Sequence, residues 1–99
     1  MEGHKIKWSA ISIKQFNAAI DYISLDSPQN AENVQNKILN KLERIAQSPG
    51  ICPPDKYKKK NNNNYRAFSI FRYMISYRIE NDGIEILRIR HTSMKPKFY

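Results

Sequence analysis

The chain has 99 residues, the size of one small domain, with 40% hydrophobic content, enough for a thin core. Its formal net charge of +8 is uneven: residues 1–50 carry 6 Lys/Arg and 5 Asp/Glu (6 − 5 = +1), residues 51–99 carry 11 and 4 (11 − 4 = +7). The basic half calls for an acidic partner, nucleic acid or protein; no long apolar run or basic amphipathic helix points to a membrane, and the single cysteine excludes an internal disulfide and a cysteine-based zinc site.

Ile6-Lys7-Trp8 reads as a short edge strand, and Ser9 or Ser12 as the cap of a helix that follows. Ile13, Phe16, Ala19 or Ile20, and Ile23 recur at helical spacing and define its apolar stripe. Asp26-Ser27-Pro28 breaks and restarts the chain, with Ser27 as N-cap and Pro28 at the first helical position. A second helix carries Ala31, Val34, Ile38, Leu42 and Ile45 on one stripe, runs to Gln47, and stops at Ser48-Pro49-Gly50. The pair forms an antiparallel helical hairpin.

Residues 51–64, with Lys58-Lys59-Lys60 and four asparagines, read as loop, the asparagine run as a mobile hairpin tip. Tyr65 to Phe71, Tyr73 to Glu80 and Ile84 to His91 are three strands, the last two joined through Asn81-Asp82-Gly83. The fold class is therefore α+β: an N-terminal strand and a helical hairpin packed on one face of a roughly four-stranded, mainly antiparallel sheet, all in one domain spanning residues 1–99. By strict alternation Leu87 and Ile89 share the helix-covered face, and Arg88 and Arg90 look outward, joined by Arg66. Three arginines on one aromatic-flanked face suit phosphate or carboxylate. Arg88 has an alternative use in an internal pair with Glu80 or Glu85. Tyr73 and Tyr77 share a face and are assigned to core packing over base stacking. His91 is placed as a strand-end structural histidine, because no carboxylate or nucleophile groups with it. Cys52 lies beside prolines with nothing to activate it.

The order of elements, with Trp8-Ser9, Ser27-Pro28, Ser48-Pro49, Tyr65-Arg66, Arg72 to Ile79 and the ending Leu87-Arg88-Ile89-Arg90-His91-Thr92-Ser93-Met94-Lys95-Pro96, resembles the RelE/ParE superfamily of toxins over nearly the whole chain. That resemblance implies the toxin of a type II toxin–antitoxin (plasmid stabilisation) system in the bacterial cytoplasm, without a metal or other cofactor. It also implies a cognate antitoxin, acidic and partly disordered, through which the toxin oligomerises. The antitoxin would lie over Phe16, Ile20, Ile23, Val34 and Ile38 of the helices and over the basic sheet face.

One branch of the superfamily cuts messenger RNA on the ribosome; the ParE-like branch inhibits DNA gyrase. The RNase pattern puts a second lysine where this chain has Phe68, and arginines where it has Met74 and Ser93. Phosphoryl transfer depends on such cations, so the ParE-like reading leads, with Arg66, Arg88, Arg90 and Lys95 contacting the target. The RNase reading would use Arg66, Arg88, Arg90, His91, Lys95 and Tyr99. An inactive homologue or a nucleic-acid-binding module completes the alternatives.

Overall fold

A computed structural model describes residues 4–99. Strand β1 (Lys5–Trp8) leads into helix α1 (Ala10–Asp26), helix α2 (Pro28–Gln47), a 3₁₀ turn (Pro49–Ile51), and strands β2 (Tyr65–Ile70), β3 (Tyr73–Glu80) and β4 (Gly83–His91). The sheet order is β1-β4-β3-β2, with β1 parallel to β4 and the other pairs antiparallel. Among the described residues no helix is long and apolar enough to cross a membrane.

The helix hairpin follows from its caps. Ser9 accepts the Ser12 N–H at the start of α1, and Ser27 alone separates the helices, accepting the Asn30 N–H ahead of Pro28. Helix α2 buries Ala31, Val34, Ile38, Leu42 and Ile45, the stripe set by its period. In α1 the stripe is displaced: Ile13 is 45% exposed, and Ser12 takes the fully buried place. Hydrogen bonding explains the exchange. β1 ends where Trp8 pairs with Ile86, leaving the rest of the β4 edge to α1. Ser9 Oγ donates to Leu87 O (3.0 Å), Ser12 Oγ to Ile86 O (3.1 Å), and Gln15 Oε1 accepts the Ile89 N–H (2.6 Å). A helix of purely apolar facing residues would orphan those buried strand groups.

The helix-facing side of the sheet is set by register. Tyr73, Ile75 and Tyr77 of β3 pair with His91, Ile89 and Ile86 of β4. Between Ser76 and Tyr77 the register shifts, because Leu87 is an extra residue in β4. Strict alternation from Leu87 and Ile89 would send Ile84 and Ile86 outward with Arg88. The bulge instead lets Ile84, Ile86 and Ile89 all reach the core, at 1%, 0% and 4% exposure, while Arg88 and Arg90 stay outside. Leu87 is therefore not a partner of Ile89 on one face.

The β2–β3 connection also departs from expectation. Ile70 pairs with Tyr73, so Phe71 belongs to a two-residue turn and not to the strand. Phe71 (φ 52°) and Arg72 (φ 69°) both have positive φ, the signature of a mirror-image turn that glycine and asparagine usually supply. The loop before β2 does connect two antiparallel-paired segments, but it is tied down by hydrogen bonds at both ends. Residues 53–55 pair with the outer edge of β2, through Asp55 N–H to Tyr65 O and Ala67 N–H to Pro53 O. The Asn61 side chain closes the asparagine run by donating to Asp55 O and Tyr65 O and accepting the Asn63 and Tyr65 N–H groups.

Candidate functional site

The face of the sheet away from the helices carries Met74, Ser76 and Arg78 from β3, and Glu85, Arg88 and Arg90 from β4. Arg66 does not join them. It pairs in register with Tyr77, on the helix side, so the expected trio is broken by one step of alternation. Its guanidinium donates to three backbone carbonyls, Asn63 O (2.8 Å), Cys52 O (2.8 Å) and Gly50 O (3.4 Å), and ties down the chain leaving α2. Beside it Tyr77, fully buried, donates to Pro49 O (2.6 Å).

Arg88 does not pair with Glu80 or Glu85 either. Arg78 takes both, at 2.9 and 2.6 Å, and Lys7 joins Glu80 at 3.1 Å. Hydrogen bonds from Lys7 and then Arg78 hold the Glu80 carboxyl below its ordinary value.

Arg88 and Arg90 are covered by the chain itself. The segment after β4 folds back over them against residues 53–59. Tyr99 places its ring 4.2 Å from the Arg88 guanidinium, and Tyr57 lies 5.2 Å from that of Arg90. Arg90 Nη1 also donates to Met94 O at 3.4 Å. The segment is pinned by Tyr99 Oη to Asp55 Oδ2 (2.7 Å), Tyr99 N–H to Tyr57 O (3.0 Å) and Lys59 N–H to Tyr99 O (2.6 Å). Asp55 is 4% exposed and also accepts the Tyr57 N–H at 3.0 Å. Lys58 Nζ lies over Tyr65 and Tyr99, at 4.7 and 5.1 Å. Burial first, then the hydrogen bond to Asp55, pushes the Tyr99 hydroxyl well above the ordinary tyrosine value. A hydroxyl so held keeps its proton and makes a poor base.

His91 sits at the end of β4 on the helix side. Its Nδ1 contacts Ser93 Oγ (2.7 Å) and accepts the Ser93 N–H (3.1 Å), and its ring meets Tyr73 edge-on at 5.2 Å. Lys95 is exposed in the closing segment. The six residues of the RNase reading are thus not gathered: Tyr99 meets Arg88, Arg90 shares that face against Tyr57, and Arg66 and His91 face the other way. Among the described residues no group of three His, Cys, Asp or Glu is placed to hold a metal ion.

Of the residues expected to meet an antitoxin, Phe16, Val34 and Ile38 are core residues at 9%, 5% and 2% exposure, and Ile20 and Ile23 are half-buried against that core. Their periodicity marks the inward face of each helix, so the list describes the core more than a docking surface. The exposed apolar groups include Ile11, Ile13, Tyr22 and Leu25 on α1 and Phe71 at the β2–β3 turn, with Ile51, Met94 and Phe98 elsewhere. A groove of about 790 Å³ runs between the helix junction and that turn, lined by Tyr22, Leu25, Phe71, Arg72 and, at its base, Ile23 and Val34.

Reading the sequence alone missed Asp55 and Tyr57. One signal was available: Asp55 is the only acid between Glu43 and Glu80. A lone carboxylate in so basic a stretch has every electrostatic reason to organise its neighbours.

A family model for the ParE toxin of the type II toxin-antitoxin system, parDE, matches residues 6–96. The chain belongs to the ParE toxin family. A solved chain described as the chromosomal ParDE TA system from P. aeruginosa superposes on this ParE-family fold with a TM-score of 0.67 at 19% identity, over 89% of this chain and 95% of that one. At that identity the likeness speaks for the fold. No curated protein matches the sequence. Residues 97–99, which complete the cover over Arg88, lie beyond the span matched by the ParE model.

Proposed function

We propose that this ParE-family chain is the toxin of a toxin–antitoxin pair that acts by binding its target, DNA gyrase, and is neutralised by a cognate antitoxin. The family match over residues 6–96 carries the reading. The sheet chemistry supports binding over RNA cleavage. Phe68 lies in the core and Met74 faces Arg90, in positions where the RNase pattern has cations. Arg66 is spent on backbone carbonyls, and Tyr99 is held protonated against Asp55. With charge stabilisation the main catalytic resource in phosphoryl transfer, such a surface has little to offer that reaction. The antitoxin reading draws on the exposed apolar groups of α1 and the groove beside Phe71, whose lining is mainly apolar with Arg72 and Asp26 among it, a surface suited to an amphipathic segment.

The deciding experiment adds the purified chain to DNA gyrase and follows supercoiling and cleaved-DNA accumulation, alongside primer extension on cellular RNA after induction. Gyrase inhibition with intact transcripts is the expected result. Growth arrest with cut transcripts and unaffected gyrase overturns the proposal, and so does absence of any growth defect.

A further inference from the structure

We propose that Arg88 and Arg90 form a phosphate-binding site that the chain keeps shut with its own closing segment, residues 94–99, as a strap. The inference is independent of which macromolecule the toxin attacks.

Three observations combine. First, Arg88 and Arg90 are two residues apart on one strand face, about 7 Å between Cα atoms at the usual rise, close enough for both guanidiniums to grip one tetrahedral oxyanion. Second, neither has an acid: Glu85 and Glu80 are taken by Arg78, and Asp55 by Tyr57 and Tyr99. The Nε groups of both arginines are buried and find no acceptor among the described residues, an uncommon and costly state for a charged donor. Third, what covers them is aromatic: Tyr99 of the strap lies over Arg88, and Tyr57, in the segment on which the strap packs, lies over Arg90, where the strap itself contributes Met94 O. Ring faces offset the charge but accept no in-plane N–H bond. The closed strap therefore leaves hydrogen-bonding capacity unused, and a phosphate would satisfy it. Two guanidiniums, with Lys58 beside Tyr99, favour a dianion over a single carboxylate.

Strap closure and phosphate binding compete for the same groups. Few hydrogen bonds hold the strap: Tyr99 Oη to Asp55, Tyr99 N–H to Tyr57 O, Lys59 N–H and Lys58 Nζ to Tyr99 O, and Arg90 to Met94 O, beside the edge-on contact of Phe98 with Tyr57. Weakening it raises the fraction of open molecules and with it the apparent affinity.

The test titrates inorganic phosphate into the full-length chain at constant ionic strength and follows the Arg88 and Arg90 Nε–H resonances by NMR. Tyr99→Phe removes the Asp55 bond while keeping the ring, and loss of that charge-assisted bond is expected to tighten phosphate binding about tenfold. Asp55→Asn gives the same direction by an independent route. The pair Arg88→Gln and Arg90→Gln, on the Tyr99→Phe background, abolishes the response. Acetate binds far more weakly than phosphate. Equal phosphate affinity in the wild type and a folded Tyr99→Phe variant overturns the strap. Binding that survives loss of both arginines overturns the site, and acetate binding as tight as phosphate overturns the ligand class. Gyrase inhibition plays no part in the readout, so either proposal can fail alone.

Discussion

Replacing Phe71-Arg72 by Asn-Gly is expected to stabilise the fold. Both residues have positive φ, 52° and 69°, in the turn between β2 and β3. An L-residue with a Cβ in that region costs roughly 1–2 kcal/mol, so the pair stores about 2–4 kcal/mol. Asn-Gly adopts the geometry with little strain. Two losses subtract from the gain. Glycine frees the unfolded chain by about 0.4–1 kcal/mol. The exposed Lys37 ammonium, 6.0 Å from the Phe71 ring centroid, gives up a contact of about 0.5 kcal/mol. The net gain is about 1–2 kcal/mol, a rise in Tm of roughly 4–8 °C per kcal/mol for a domain this size. Urea unfolding followed by Trp8 fluorescence measures it. An unchanged or lower midpoint at constant slope would refute the reasoning and mean that the native side chains are worth more in the fold than their backbone strain costs. Strain kept at an exposed aromatic–arginine tip also suggests a use, and growth arrest or antitoxin capture by the same variant reports whether stability was exchanged for function.

Gly83→Ala is expected to cost about 2–5 kcal/mol, because a Cβ there would run into the Lys5 backbone where β1 enters the sheet; a change within about 0.5 kcal/mol on urea unfolding would show that β1 can shift aside. Alkaline pH is expected to weaken the fold through Tyr77 and Tyr99. Burial pushes both hydroxyls above the ordinary tyrosine value of 10.0, and their hydrogen bonds to Pro49 O and Asp55 are made by the protonated form. The folded state therefore holds protons that the unfolded chain releases. Stability is full below pH 10.0 and falls as pH rises beyond it. Unfolding midpoints on either side of that value check this, and a slope that survives in the Tyr77→Phe, Tyr99→Phe double variant assigns it elsewhere.

Local periodicity carried the element types and most of the core. The α2 stripe from Ala31 to Ile45, the Ser27-Pro28 restart and the bounds of β3 are written in neighbouring residues, because capping and amphipathic spacing act within one or two turns of chain. The resemblance at Tyr65-Arg66 and Leu87 to Pro96 carried the family. The site was only half legible. Arg88 and Arg90 are on the outer face as read, but Arg66 is not with them, and its positive charge serves carbonyls near Cys52. Side-chain direction in a sheet depends on pairing register. A single extra residue, Leu87, inverts the parity of β4, and nothing local announces it. The cover over the arginines, and with it the difference between an open basic surface and a latched one, comes from Asp55, Tyr57 and Tyr99 meeting across more than 40 residues of chain. Composition fixes that such groups exist; only the closed tertiary structure decides which of them face one another.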